Sequence, residues 1–440
     1  MFAALSVLAL VGGAAASSNS FWVVQHSKAL FTSRLDPIIS PGGISGHVHS
    51  VVGGSAFNPT YTYEHSIAGK STTANVNVDH SNYWVPQLYR KNGKGFELVK
   101  MNGANTYMSW LNMSSSGDDE KVYAFPKGFR MLAGDPSRTT YNKSDYTNAA
   151  ISYACLGAGS IPETGAFPER NCPSGLRAQV FFPNCWDGVN TWLPGSKHVA
   201  YPASGGHDSG GPCPTTHPKR IMSLFYEFFY DDHFDYTPGA RVWATGDDQG
   251  YSFHGDFANG WPEGLFDEIF GYGNTCNVQF SLEKCPPLNK YFTKDGGKAT
   301  PDSDAVIVDE DVGATGSILD KLPGNNPEWG SDGKKQPDPS YTETKKLISL
   351  ANGDVVTTST TPSISTGSST TSGKETDATH STTSGGASKS SSQAGSSTAT
   401  TTPDNLAVVT GTSTGATTPV SSTTASTGNG RPKVCGTKRR

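Results

Sequence analysis

RIMSLFYEFFY, residues 220–230, is the stretch that decides the fold class. Its β-branched and aromatic side chains, bounded by Pro218 and an acidic turn, predict a β-strand. Residues 74–78, 178–182 and 240–244 predict further strands, whereas helical periodicity is hard to find. Gly, Pro and Asn recur about every 8–12 residues, as they do between the strands of all-β domains. We expect a mainly β fold: a single sandwich or jelly-roll-like domain with long, disulfide-tied loops.

The composition changes abruptly near residue 350. In residues 351–430, 41 of 80 residues are Ser or Thr, and none is Trp, Tyr or Phe. Such a segment cannot bury enough apolar surface to offset about 1–2 kcal/mol of backbone entropy per residue. We predict a core domain over residues 17–330, a linker over 331–350 and a disordered, O-glycosylated stalk over 351–440. The chain ends in the polar, basic RPKVCGTKRR, so no GPI anchor is expected.

The first residues and the cysteines indicate secretion. Residues 1–16 form a short apolar run ending in three alanines, which is typical of a signal peptide; a buried first strand or helix is the alternative. Asn112 and Asn142 lie in N-glycosylation triplets. Six clustered cysteines predict disulfides in an oxidising compartment, with about 15 pairings open and Cys435 unassigned. The six are Cys155, Cys172, Cys185, Cys213, Cys276 and Cys285.

Charge and hydropathy exclude two classes of partner. The net charge of −5 is small and unclustered, so the chain offers no basic surface that would bind nucleic acid by counterion release. Apolar runs stay shorter than the about 18 residues that a membrane span needs. We expect neither a nucleic-acid partner nor a transmembrane segment.

The tetrapeptide Gly-His-Val-His at residues 46–49 predicts a metal site. If this segment is a strand, His47 and His49 point to the same face, because side chains alternate with a period of two. Two imidazoles on one face chelate a divalent metal of open identity, and Asp36 is a carboxylate that would complete the set. The alternative is that both histidines are hydrogen-bonded structural residues.

A second His and Asp pair lies near the end of the core. His254 and Asp256 are two residues apart and share a face, and an aspartate beside a histidine can orient its tautomer for proton transfer. The alternative is a turn-rich, hydrogen-bonded loop. A shared site requires His47, His49 and His254 to converge. The predicted catalytic residues are Asp36, His47, His49, His254 and Asp256.

Polar and aromatic residues also occur together in the segment DHSNYWVP, residues 79–86. Aromatic rings stack on the apolar face of a sugar while Asp and Asn bind its hydroxyls. The alternative is an Asx-turn that closes onto a core Trp. The predicted substrate-binding residues are Asp79, His80, Asn82, Tyr83, Trp84, Trp186, Asp187, His217 and Trp261.

Glu227 is the lone acid of the stretch 220–230. Among apolar neighbours a carboxyl acquires the raised pKa that a general acid requires. The alternative is a structural ion pair with Arg177 or Arg220.

Seven motifs occur in order along the core. They are RLDPII-x-PG from Arg34 with HVH from His47, SNYW from Ser81, FP-x-GFRM from Phe125, FPNCWDG from Phe182, HVAYP from His198, Cys213-Pro214 with His217-Pro218, and HGDF from His254. Together they resemble a secreted fungal family catalogued as domain of unknown function nineteen ninety-six. The resemblance covers residues of about 22–330 and implies a secreted protein, in some members with a wall-binding module after a Ser/Thr linker; it implies no activity and no catalytic residues.

Two functions remain open from the sequence. The first is a secreted, metal-assisted enzyme that acts on extracellular polysaccharide, because His, Asp and Trp residues are grouped in loop-like segments. The second is a non-catalytic glycan-binding protein of the cell wall or surface, displayed on the stalk. Fold and composition do not separate the two.

Overall fold

The computed structural model describes residues 20–111, 121–208, 210–294, 296–330 and 333–350. The predicted signal peptide, the stalk with Cys435, and Asn112 lie outside these residues. Strands β1 to β20 are, in chain order, Ser20–His26, Phe31–Ser33, His49–Gly53, Asn82–Pro86, Leu88–Asn92, Gly95–Leu98, Met101–Leu111, Val122–Tyr123, Arg130–Gly134, Ile151–Cys155, Leu176–Phe181, Cys185–Trp186, Val199–Ala200, Lys219–Ile221, Ser223–Tyr230, Arg241–Trp243, His254–Ala258, Val306–Val308, Ile318–Leu319 and Leu347–Ser349. Helices α1 to α4 are short: Tyr63–Ile67, Tyr146–Ala149, Leu265–Gly271 and Pro286–Asn289.

The stretch 220–230 forms β14 and β15, and β15 is the central strand of a five-stranded antiparallel sheet. This sheet, sheet A, has the order β1-β7-β15-β11-β10. Leu224, Tyr226 and Phe228 of β15 point into the main core, whereas Phe225 and Phe229 are half-buried on the other face. Successive side chains alternate between the two faces of the sheet because a β-strand has a side-chain period of two. The strand predicted from the sequence is confirmed.

A second five-stranded sheet, sheet B, packs face to face on sheet A. Its order is β2-β3-β4-β17-β9. Tyr83 of β4 meets Tyr226 of sheet A edge to face, with ring centroids 5.5 Å apart. The sheets approach closely at Gly255, where a Cβ atom would lie 2.8 Å from Val180 and 3.0 Å from Phe182. The predicted mainly β sandwich is confirmed.

The outer face of sheet B, which points away from sheet A, is covered by a second apolar cluster. Val51 and Trp84 of this face pack with Leu35 and with Val306 and Leu347 from the C-terminal part of the described chain. The last two belong to strands β18 and β20, which pair with each other. The segment 333–350, predicted as a linker, therefore contributes a strand to the cover of sheet B.

Smaller sheets complete the fold, with orders β16-β5-β6-β19 and β13-β12-β14-β8. Residues 178–182 and 240–244 were predicted as strands and lie largely in β11 and β16. Residues 74–78 do not form a strand; Ala74 and Val76 make only isolated bridges, because the chain turns where the Asp79 amide donates to the Val76 carbonyl.

Three disulfides tie the loops, and each joins cysteines that are consecutive in the chain. They are Cys155–Cys172, Cys185–Cys213 and Cys276–Cys285. All six core cysteines are therefore paired, as predicted. Within the described ranges, no helix has the length and apolar character needed to cross a membrane.

Candidate metal centre

Three histidines from two strands of sheet B converge on its outer face. His49 begins β3 and pairs with Pro86 of β4, the strand that separates β3 from β17. Asp256 of β17 pairs with Trp84, so His254, two residues earlier, lies level with Pro86 on the opposite side of β4. His47 precedes β3 with the same parity as His49. The sheet order therefore brings together residues about two hundred positions apart in the sequence.

Alternation within each segment fixes where these side chains point. Val48 lies between the two histidines and is buried in a small apolar cluster beside sheet B, so His47 and His49 face away from it. In the same way, Phe253 and Phe257 belong to the main core, which leaves His254 and Asp256 on the outer face.

The three imidazole rings are close enough to share one ion. The ring centroids of His47 and His49 are 4.4 Å apart, and those of His49 and His254 are 5.8 Å apart. His47 Nε2 lies 3.1 Å from His254 Nε2. One ligand atom from each ring lies within 4.8 Å of the others. The convergence that a shared site requires is present.

Backbone carbonyls orient two of the rings. His49 Nδ1 donates to the Leu35 carbonyl at 3.0 Å, and His254 Nδ1 donates to the Ser252 carbonyl at 2.8 Å. In a neutral ring this leaves Nε2 as a lone-pair donor, and metal-binding histidines are typically held in this way. His49 Nε2 is buried and has no hydrogen-bond partner among the described residues.

Burial keeps the rings neutral. It lowers the pKa of His49 to about 3 and, together with the neighbouring His49, the pKa of His254 to about 4. Burial, His49 and His254 lower the pKa of His47 well below its ordinary value. Neutral imidazole is the form that coordinates metals.

Two aspartates complete what we call the histidine–aspartate centre: Asp36, His47, His49, His254 and Asp256. Asp36 is 4% exposed, and its Oδ1 accepts from the amides of Ile38 at 2.9 Å and Ile39 at 3.0 Å. Asp256 is fully buried, and its Oδ2 lies 4.0 Å from His254 Nε2. Burial raises the pKa of Asp256 well above its ordinary value, and the Asp36 carboxylate raises it further.

Residues from the C-terminal part of the described chain hold the loop that carries His47. Arg34 donates to the Ser45 carbonyl at 3.0 Å and forms ion pairs with Glu310 at 2.5 Å and Glu343 at 2.7 Å. Asn326 donates to the Gly46 carbonyl at 2.7 Å. No local sequence pattern links Glu310, Asn326 or Glu343 to residues 45–47, so their contribution is visible only in the fold.

The aromatic residues predicted to bind a sugar are core residues instead. Tyr83 and Trp84 are fully buried, and Trp261 is 1% exposed, so none of them presents a ring face to a ligand. Asp79 is fully buried; its Oδ1 accepts from the Ser81 amide and its Oδ2 from the Tyr83 hydroxyl. This is the Asx-turn beside core aromatic residues that the sequence left as the alternative.

The other predicted binding residues are dispersed. Asn82 is buried and donates to the Gly54 carbonyl, and His80 donates to the Asn77 carbonyl. Asp187 caps a turn by accepting from the Val189 and Asn190 amides, and Trp186 donates to the Asn190 carbonyl. His217 interacts with the Lys197 carbonyl. The exposed Asn142 accepts from the Ser144 amide and remains a predicted glycosylation acceptor.

The outer face of sheet A carries two parallel rows of side chains that cross the strands. The first, the aromatic row, consists of Tyr107, Phe225 and Phe181, which are direct cross-strand neighbours and half-buried. The second, the polar row, lies two residues further along each strand and consists of Gln25, Asn105, Glu227, Gln179 and Ser152. Only Glu227 stands out in the sequence, because the other members come from four different strands.

Glu227 has a complete set of partners. Its carboxylate accepts from Asn105 at 3.0 Å and from the Tyr107 hydroxyl at 2.8 Å, and it pairs with Arg177 at 3.0 Å. This is the structural ion pair that the sequence left open, formed with Arg177.

One comparison with known proteins identifies a family. A family model described as Domain of unknown function (DUF1996) matches residues 36–261, which is more than half of the chain. The chain belongs to this family, as its motifs indicated, and the matched span includes the whole histidine–aspartate centre. No curated protein and no solved structure matches the chain.

Proposed function

We propose that this protein is a secreted metalloprotein that binds extracellular polysaccharide and uses a metal ion at the histidine–aspartate centre to cleave it. The observation that carries the proposal is the convergence of His47, His49 and His254, with Nδ1 of two rings fixed by backbone carbonyls. Three imidazoles suit Zn²⁺ or another first-row transition metal. Such an ion, when bound, polarises a substrate oxygen or lowers the pKa of a water molecule.

Three disulfides support secretion, because such bonds persist in oxidising compartments. The signal-peptide pattern of residues 1–16 points to the same location.

The outer face of sheet A supports a polysaccharide ligand. A sugar ring has an apolar face, which packs on aromatic rings, and hydroxyls at its edge, which need donors and acceptors. The half-buried aromatic row offers the rings, and the members of the polar row that are not buried, Gln25, Asn105 and Ser152, offer the polar groups beside it.

Product analysis tests the proposal. The full secreted chain is incubated with wall glucans, mannan, xylan, chitin and cellulose, with and without a chelator, and soluble products are identified by mass spectrometry. We expect products from one polymer class, their loss with the chelator and their return when Zn²⁺ or another divalent transition metal is added back. Absence of products from the whole panel would contradict the enzymatic part.

The burial of the centre favours a second candidate, a non-catalytic glycan-binding protein with a structural metal ion. His49 is fully buried and His254 is 4% exposed, whereas His47 is half-buried. Structural metal sites are closed in this way, while catalytic sites keep one open position. This candidate predicts that a polymer is retained in pull-down without products, and that the chelator lowers the melting temperature without releasing the polymer.

A further inference from the structure

Asp256 is a buried carboxylate without a hydrogen-bond partner in the described part of the chain. Its side chain is fully buried, and neither carboxylate oxygen has a hydrogen-bond partner among the described residues. Burying a charged group without compensation is strongly unfavourable, and buried polar groups in native proteins are almost always paired. An orphaned carboxylate therefore points to a cation or ligand that binds beside it.

The nearest candidate partner is an ion held by the histidines. Asp256 Oδ2 lies 4.0 Å from His254 Nε2, and His254 Nε2 lies 3.1 Å from His47 Nε2. Two metal–ligand bonds of about 2.0–2.2 Å each span at most about 4.4 Å. An ion bound by His254 is therefore close to the Asp256 carboxylate. Among the described residues, the ligand atoms that all lie within 4.8 Å of one another are those of the three histidines, so the Asp256 side chain must turn toward the ion to bind it.

One oxygen of Asp36, the carboxylate that the sequence suggested as the completing ligand, is already engaged by the backbone. Its Oδ1 accepts from two backbone amides, which fixes the turn after Leu35, and the Leu35 carbonyl in turn orients His49. Asp36 thus acts on the centre as a positioning residue, through the backbone that holds His49.

We infer that Asp256 is the fourth protein ligand of the centre, an inference that rests on the proposed metal site. The donor set is then three neutral nitrogens and one anionic oxygen. Such a set suits divalent ions of intermediate hardness, such as Zn²⁺ or Fe²⁺, and disfavours Cu⁺, which prefers sulfur ligands.

The variant Asp256→Asn tests this assignment in the full secreted chain, with Asp36→Asn as the matched control. Asparagine keeps the shape in both variants, and at position 36 its oxygen still accepts from the turn amides. Competition with a chromophoric chelator measures Zn²⁺ affinity. We expect Asp256→Asn to weaken Zn²⁺ binding more than about 100-fold and Asp36→Asn about 10-fold, since residues outside the ligand set cost less.

The melting temperature of the metal-free protein supplies a second readout. Asp256→Asn removes an unpaired buried carboxylate, so we expect the metal-free variant to melt at or above the wild-type temperature, with a smaller gain on adding Zn²⁺. Equal Zn²⁺ affinity in wild type and Asp256→Asn, within about threefold, would overturn the assignment and leave the three-histidine site standing. A wild type that binds no Zn²⁺, Fe²⁺ or Mn²⁺ would overturn the metal site itself.

Should Asp256→Asn fail to fold, a crystal structure of Zn²⁺-loaded wild-type protein decides the matter. The assignment expects an Asp256 oxygen at about 2.0–2.2 Å from the ion. A zinc ion at the three histidines with Asp256 beyond bonding distance would refute it.

Discussion

Glu227 and Asp256 lie on the two outer faces of the same sandwich and differ in their partners. Both are strand residues with buried carboxylates, 6% and 0% exposed. Glu227 is bound by Asn105, Tyr107 and Arg177, whereas neither Asp256 oxygen has a partner among the described residues. A buried carboxylate with a complete set of partners stabilises the fold, and one without them indicates a ligand.

The side chains that surround Glu227 and Asp256 also differ in kind. Around Glu227, half-buried aromatic side chains and a row of polar side chains cross the strands of sheet A, an arrangement that we propose retains a long, neutral ligand. Around Asp256, neutral imidazoles converge under a cover that includes β18 and β20. We therefore propose polymer retention on the outer face of sheet A, and metal binding together with the cleavage step on that of sheet B. Because these faces lie on opposite sides of the sandwich, the polymer segment that is retained is not the segment that is cleaved.

Asp79 is a third buried carboxylate that can be compared with these two. Of the expected effects on the free energy of unfolding, that of its ionisation is the largest. Asp79 is hydrogen-bonded but forms no ion pair within the described ranges, and burial raises its pKa to about 7. The folded state therefore holds the proton more tightly than the unfolded state, so the contribution of Asp79 to stability is greatest below about pH 4 and is lost as the pH rises to about 7. Relative to Asp79→Asn, the wild type should lose up to about 4 kcal/mol of unfolding free energy over this range.

Denaturant unfolding of wild type and Asp79→Asn between about pH 4 and pH 8 measures the difference. A difference that stays constant over this range would show that Asp79 ionises normally in the folded protein.

Replacing Glu227 removes its ion pair with Arg177 and its hydrogen bonds with Asn105 and Tyr107. Glu227→Ala leaves Arg177 with Glu163 alone and leaves Asn105 and Tyr107 without their acceptor. We expect the free energy of unfolding to fall by about 3 kcal/mol with unchanged metal content. Chemical denaturation and elemental analysis of the same sample check both statements; a loss under about 0.5 kcal/mol would mean that the pair does not stabilise the fold.

The smallest effect is expected for the affinity for the polymer when single rings of the aromatic row are removed. Tyr107→Ala and Phe225→Ala each remove one ring of the aromatic row, and we expect about tenfold weaker binding to the retained polymer. Val189→Ala, at an apolar side chain that is 79% exposed, is the matched control and should bind normally. Pull-down isotherms measure the affinities, and equal binding by all three variants would remove sheet A as the binding surface.

Part of this arrangement is readable from the sequence. The period of two places His47 with His49, and His254 with Asp256, on shared faces, because it depends only on neighbouring residues. That the two pairs meet depends on β4 lying between β3 and β17, which no local pattern specifies.

The predicted sugar-binding aromatics show the opposite case. Trp84 is buried on the outer face of sheet B because residues as distant as Leu347 cover it. Its local sequence suits an exposed binding face, but in the fold Trp84 is a core residue. The polar row was missed for a related reason, since its members are spread over five strands and only strand pairing aligns them.

Elemental analysis of the full chain, purified without chelator, tests the central claim most directly. The wild type and a His47→Ala/His254→Ala variant are compared, with His217→Ala as a control outside the centre. We predict about one transition-metal ion per chain for wild type and His217→Ala, and less than about a tenth for the double variant. Less than about a tenth of an ion in the wild type, before and after incubation with Zn²⁺, would contradict the account.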